Sequence, residues 1–294
     1  MVKEMVDLGF ENIELSHGIR VSLVPGILQA LHENLVSISS IHNFCPLPNG
    51  VQYPAPNLFR PSAISGQESH LWYRHTRRTL EFAERVKAPL MITHLGSISF
   101  PFRSPAKKLK AFREKAGSEC LEDPRYQNLL EKTRTKLLKR MPKFWSQVLR
   151  NVERIIPAAE ENRVKIAVEN REGIAELPLD DRFSDFFDEI SSSEHVGYWH
   201  DTGHAELKEQ YGLIEHETLL RENDHRLLGF HVHDVSEDGE DHQPIGTGII
   251  DFEMVAKYIR PEHPVILEFS PRLTSEEVLE SREYVEKLLA SRSA

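Results

Sequence analysis

The sequence predicts an α/β fold, a parallel (β/α) barrel with helices around its outside. Three observations carry this. Short strand-like runs alternate with helical stretches along the chain, an order that excludes sandwiches and helical bundles. The 294 residues suit one barrel of roughly 250 residues with insertions better than two small domains. Five of the strand-like runs also end in a residue that can bind a metal: His94, Glu169, Asp201, His231 and Glu268. In a parallel barrel the carboxyl ends of all strands meet at one rim, so these residues would share one pocket.

In chain order, the first helix is predicted from Val2 to Leu8, ended by Gly9, and the first strand from Asn12 to Leu15. A helix with proline in its first turn is expected over Pro25 to Asn34, then a strand over Val36 to Ile41 leading to His42. Residues 43–67 are rich in Pro, Asn, Gly and Ser, which predicts a long loop. Leu71, Leu80, Phe82, Ala83 and Val86 give an apolar stripe for a helix from Glu68 to Lys87, and Pro89 to Thr93 is the next strand. A basic helical insertion, 101–142, precedes a helix from Lys143 to Glu161 and a strand over Lys165 to Val168. Then come a helix over Asp181 to Ile190 and strands over Val196 to His200 and Leu227 to Phe230. A crossover helix over Phe252 to Ile259, a last strand over Val265 to Leu267 and a closing helix over Ser275 to Leu289 complete a single predicted domain, 1–294. That makes seven strands where a barrel has eight; the one lacking is the first, whose place is before the first helix.

Composition narrows the class. Hydrophobic residues at 39% and charged residues at 28% describe an ordinary globular protein rather than a disordered one. Only Cys45 and Cys120 are present, without CxxC spacing, which argues against a disulfide framework or a thiolate zinc site and favours a reducing cytoplasm. No apolar stretch approaches the roughly 20 residues that cross a bilayer. The net charge is −10, yet residues 101–150 hold 14 Lys or Arg against 5 Asp or Glu, a local +9 that leaves −19 elsewhere. This run is either a solvated helical face or an electropositive lid that attracts an anionic substrate.

Strand alternation tests the pocket. Residues two apart share a face, so Ala167 lies with Glu169, Ile92 with His94 and Ile266 with Glu268. Glu169, Asp201, His231 and Glu268 form a mixed carboxylate and imidazole set, suited to Mn²⁺, Co²⁺, Mg²⁺ or Zn²⁺. Four unpaired titratable groups in one pocket would be costly without a cation. In Trp199-His200-Asp201-Thr202-Gly203-His204, Gly203 is expected to allow a tight turn that returns His204 over the pocket. His233 and Asp234 follow His231 and are expected to orient ligands from behind. The loop from Asp238 to Gly248 is either an exposed turn or supplies Glu240 or Asp241 with His242 to a further metal or to substrate.

These motifs resemble the xylose isomerase-like TIM-barrel superfamily of sugar isomerases and epimerases, inosose dehydratases and endonuclease IV-type apurinic endonucleases. The resemblance rests on Ile41-His42, Thr93-His94, Val168-Glu169-Asn170, His200 through His204, His231 through Asp234, His242 through Gly248 and Leu267-Glu268. It implies a TIM (β/α) barrel in which Glu169, Asp201, His231 and Glu268 bind one divalent metal. It also implies that Glu169 and Glu268 are the catalytic pair exchanging protons with substrate, and that His204 contacts sugar. In the endonuclease branch, His42 and His94 would join Glu169 on a second zinc, and His204, Glu240 and His242 would hold a third.

Two activities therefore compete. One is metal-dependent isomerisation or epimerisation of a sugar, sugar phosphate, polyol or keto acid, in which one glutamate removes a proton to give an enediolate and the other returns one. The alternative is multi-zinc phosphodiester hydrolysis. Glu240 stands where the endonucleases carry Asp, and the loop after His42 lacks their tyrosine, so the first reading leads and the expected partner is a sugar-like small molecule rather than nucleic acid. Against the ketose 3-epimerases, the arginine expected beyond His231 is absent, with Glu237 nearby. A barrel acting only as a ligand-binding protein is a third class. An incomplete barrel would expose apolar surface that a second copy could cover, giving a homo-oligomer.

Overall fold

The computed structural model describes residues 2–102, 104–190 and 193–292; Arg103 of the basic run lies outside them. The elements are α1 (Val2–Asp7), β1 (Asn12–Leu15), α2 (Val24–His32), β2 (Ser37–His42), α3 (Gly66–Val86), β3 (Leu90–Thr93), α4 (Ala106–Ala116), α5 (Pro124–Arg140) and α6 (Pro142–Glu161). They continue with β4 (Lys165–Glu169), α7 (Phe183–Glu189), β5 (Val196–Asp201), α8 (Thr202–Gln210), α9 (His216–Asn223), β6 (Leu227–Val232), α10 (Phe252–Ala256), β7 (Val265–Leu267) and α11 (Ser275–Arg292). The strands follow one another in sheet order from β1 to β7, and β1 through β5 pair in parallel, as do β6 and β7.

The chain forms two compact units. The first comprises Met1–Gly96, Ser146–Glu169 and Asp185–Trp199. Within it β3 and most of β4 are buried on both faces, as parallel strands covered by helices must be. Met91, Ile92, Ala167 and Val168 make its centre. Against them α3 lays Trp72, Thr76, Leu80, Ala83 and Val86, a stripe at helical spacing. This helix begins two residues earlier than predicted because Ser65 accepts a hydrogen bond from the Glu68 amide as an N-cap.

The second unit comprises Ser97–Trp145, Asn170–Ser184 and His200–Ala294. The basic insertion is two helices, α4 and α5, sharing a seam of Leu109, Cys120, Tyr126, Leu130 and Leu137. Between β5 and β6 lie α8 and α9, two helices not expected from the sequence. In α8 every residue from Thr202 to Lys208 is buried, so it carries no apolar stripe to betray it. Cys45 and Cys120 are both free and buried. No described helix is long and apolar enough to cross a membrane.

Candidate metal centre

In the first unit, three strands deliver ligand-type residues at their carboxyl ends. His42 closes β2, Glu169 closes β4, and His94 follows β3 directly. His94 Nε2 lies 2.7 Å from Glu169 Oε2, and His42 Nε2 lies 3.8 Å from the same oxygen. All three residues are nearly inaccessible to solvent. An imidazole nitrogen so close to a carboxylate requires a positive charge between them, carried by a proton or a metal ion. Each ring is turned by its far nitrogen: His42 Nδ1 sits 2.9 Å from the Asn43 carbonyl, and His94 Nδ1 sits 3.3 Å from Asn57 Oδ1. Such hydrogen bonds select the tautomer whose Nε2 lone pair faces inward.

In the second unit, Asp201 both ends β5 and caps α8. Its Oδ1 accepts from the His204 amide at 2.7 Å and faces His233 Nε2 at 3.1 Å. His233 Nδ1 accepts from the His242 amide at 2.9 Å, so its proton is on Nε2 and is donated to Asp201. The other Asp201 oxygen faces His231 Nδ1 at 3.9 Å, and that nitrogen is 3.1 Å from Glu268 Oε2. Asp201 and His231 are fully buried, whereas the Glu268 side chain is 31% exposed and leaves the group open on one side. A carboxylate, an imidazole and a second carboxylate converging with one open side are a donor set that fits a divalent cation. Asn170 braces this arrangement: its side chain donates to the Asp201 carbonyl at 2.9 Å and accepts from the Asp201 amide at 2.7 Å.

Other expected residues take different places. Asp234 does not face the ligands; its carboxylate accepts from the amides of Val235, Gly246, Gly248 and Ile250 and so shapes the loop. Gly203 has no left-handed φ. Its need for glycine comes from His233, whose Cε1 would lie 1.9 Å from an added Cβ. His204 is buried, with Nδ1 3.2 Å from Asp201 Oδ2 and 3.1 Å from the Asn170 carbonyl. His242 stacks on His233 at 4.2 Å and pairs with Asp241 at 3.1 Å. Burial opposes charge on His242, but hydrogen bonds to Asp241 and Glu268 prevail and its pKa is pushed up to about 10. Among the described residues, no converging group of three ligand atoms includes His204, Glu240 or His242.

Four neighbours of the site went unassigned in the sequence. His17 packs edge-on against His42 with centroids 4.8 Å apart; its place just after β1, like that of His94 after β3, was the available signal. Asn57 lies in the long loop, where nothing marks it. Asn170 and Arg171 follow Glu169 directly, and Arg171 Nη1 reaches His204 Nδ1 at 3.2 Å.

Strand order and parallel pairing define a class, the parallel (β/α) barrels. The chain matches the xylose isomerase-like TIM barrel family over residues 2–288 and belongs to it. No curated protein matches it in sequence. Among solved structures it is similar to a D-tagatose 3-epimerase-like protein, at 16% identity and TM-score 0.65, covering 99% of this chain and 94% of that one. It is also similar to 3-keto-D-glucoside 4-epimerase from E. coli, at 12% identity and TM-score 0.66, covering 97% and 92%. A xylose isomerase-like barrel from Mycobacterium smegmatis in complex with magnesium follows at 15% identity and TM-score 0.59, covering 100% and 88%.

Proposed function

We propose that this protein is a divalent-metal-dependent isomerase or epimerase acting on a sugar, sugar phosphate or related polyol or keto acid. Glu169, Asp201, His231 and Glu268 are the proposed metal ligands, with Mn²⁺, Co²⁺, Mg²⁺ or Zn²⁺ as the ion. The observation that carries the reading is the convergence of Asp201, His231 and Glu268 about one imidazole nitrogen. Glu169 is added from register: it pairs with Trp199 on β5, and alternation gives Trp199 and Asp201 the same face.

When bound, the cation acidifies the C–H beside a substrate carbonyl. Glu169 and Glu268 then act as the proton pair, one carboxylate accepting the carbon-bound proton and the other returning one to a neighbouring atom or the opposite face. His233 holds Asp201 in place, and Asn170 holds the backbone beneath it. His42 and His94, which meet at Glu169, orient that carboxylate or share a second ion with it. Hydrolysis through three zincs is disfavoured, since among the described residues His204, Glu240 and His242 join none of the converging sets. We further place the protein in a reducing cytoplasm, on its two free buried cysteines, with a small sugar-like molecule rather than nucleic acid as partner.

The test is incorporation of solvent deuterium at carbon into a panel of ketoses, ketose phosphates and hydroxy-keto acids, with and without chelator. Metal-dependent exchange is expected for one member, and Glu268→Gln should abolish it while far-ultraviolet circular dichroism stays unchanged. Full exchange in that variant removes the proposed role. Cleavage of an abasic-site duplex, with no carbon exchange, replaces the reading with the hydrolase.

A further inference from the structure

A second group of metal-type side chains stands on the opposite side of β5 from Asp201. His200 precedes Asp201, so alternation turns it to the other face. Its Nε2 lies 2.9 Å from Nε2 of His216, the first residue of α9. His216 is 2% exposed, and its Nδ1 faces Glu206 Oε2 at 3.7 Å, too far for a hydrogen bond. Glu206, on α8, is 8% exposed, and among the described residues no donor stands within hydrogen-bonding distance of its carboxylate. Glu209 lies one helical turn further on and accepts from the His216 amide; burial, then the Glu206 charge, raises its pKa. One ligand atom from each of Glu206, Glu209 and His216 falls within 4.8 Å of the others.

We propose that Glu206, Glu209 and His216 form a separate divalent-cation site that clips α8 to α9. Two carboxylates three residues apart on a helix repel, and the nearly inaccessible His216 imidazole turns its Nδ1 toward them. A cation between the three relieves the repulsion and gives Nδ1 a partner. One imidazole and two carboxylates suit Zn²⁺ or Mn²⁺, with water completing the shell. His200 supplies the remaining requirement: by accepting the Nε2 proton of His216 it fixes the tautomer whose Nδ1 lone pair points at the carboxylates, as expected behind a metal-bound imidazole. Glu209 can bind through one oxygen while its other keeps the His216 amide.

The experiment is zinc content after equilibration of the full chain at buffered micromolar free zinc, comparing wild type with Glu206→Gln/Glu209→Gln. The double variant should lose one zinc per chain, while the zinc removed by Glu268→Gln is retained. Equal zinc in wild type and double variant overturns the proposal. If the double variant does not fold, anomalous scattering at the zinc edge from wild-type crystals decides. A peak bonded to Glu206, Glu209 and His216 supports the site, and peaks elsewhere alone overturn it. Because the readout is bound zinc rather than turnover, it stands whatever reaction the barrel centre performs.

Discussion

Single atoms decide whether Asp201 can serve as a ligand. Gly203 and His233 approach so closely that Gly203→Ala must displace the imidazole, whose Cε1 would otherwise be 1.9 Å from the new carbon. The expected cost is about 1–3 kcal/mol in urea unfolding, with loss of metal affinity as the His233–Asp201 contact opens. An unchanged affinity would show that His233 does not hold the carboxylate. Asp234→Asn should act on the loop instead: its NH2 would face two backbone donors where a carboxylate oxygen now accepts from them. That exchange should destabilise by about 1–3 kcal/mol, readable as a lowered thermal midpoint in the metal-free protein. Sequence showed these residues as candidates because aspartate, glycine and histidine crowd two short motifs. It did not show their roles, since the partner of Gly203 lies just beyond β6 and that of Asp234 is a backbone turn.

Among the elements, the helices at the carboxyl side of β5 and the insertion were legible to different degrees. The insertion announced itself by charge, and its two helices carry the basic residues as expected. Several of those cations are anchors, however: Arg113 binds Gln210, and Arg134 donates to the carbonyls of Gly212 and Leu213 at 3.0 and 2.7 Å. The Tyr126 hydroxyl donates to the Tyr211 carbonyl at 2.9 Å, and burial pushes its phenol up. Lys107 and Lys108 remain exposed, with Lys110 half-buried. Reversing the charge of these three should raise the apparent KM for an anionic substrate several-fold at low salt and little at high salt, where screening shortens to a few ångströms. No change at low salt would leave the insertion as a solvated face. By contrast α8 was invisible, because a helix buried on all sides lacks the period by which helices are recognised.

Across the whole molecule, buried histidines respond to acid with both signs: His242, whose pKa is raised, favours the folded chain at low pH, whereas His75 and His263 oppose it. Burial, then Arg78 and Arg74, lowers the pKa of His75, and burial, then Arg260, lowers that of His263. His263 Nδ1 also accepts from the Arg260 amide at 3.2 Å, a role closed to a protonated ring. Below about pH 6.5 the unfolded chain binds the His75 and His263 protons more readily than the folded one, so their contribution to stability is full above that pH and falls as the pH drops toward the lowered values. Urea midpoints of chelator-treated wild type and His263→Gln at pH 7.5 and 5.5 check this: the variant should lose less stability, or gain more, on acidification than wild type, and an equal change in both contradicts it. Alternating strands and helices, the parity of residues before each strand end and the choice of His, Asp and Glu there were properties of the sequence alone, because period and residue chemistry are local. Which imidazole meets which carboxylate was decided only by tertiary structure. The rings of His94 and His233 are oriented by hydrogen bonds with Asn57 and His242, which reach them only once the loops that carry them have packed.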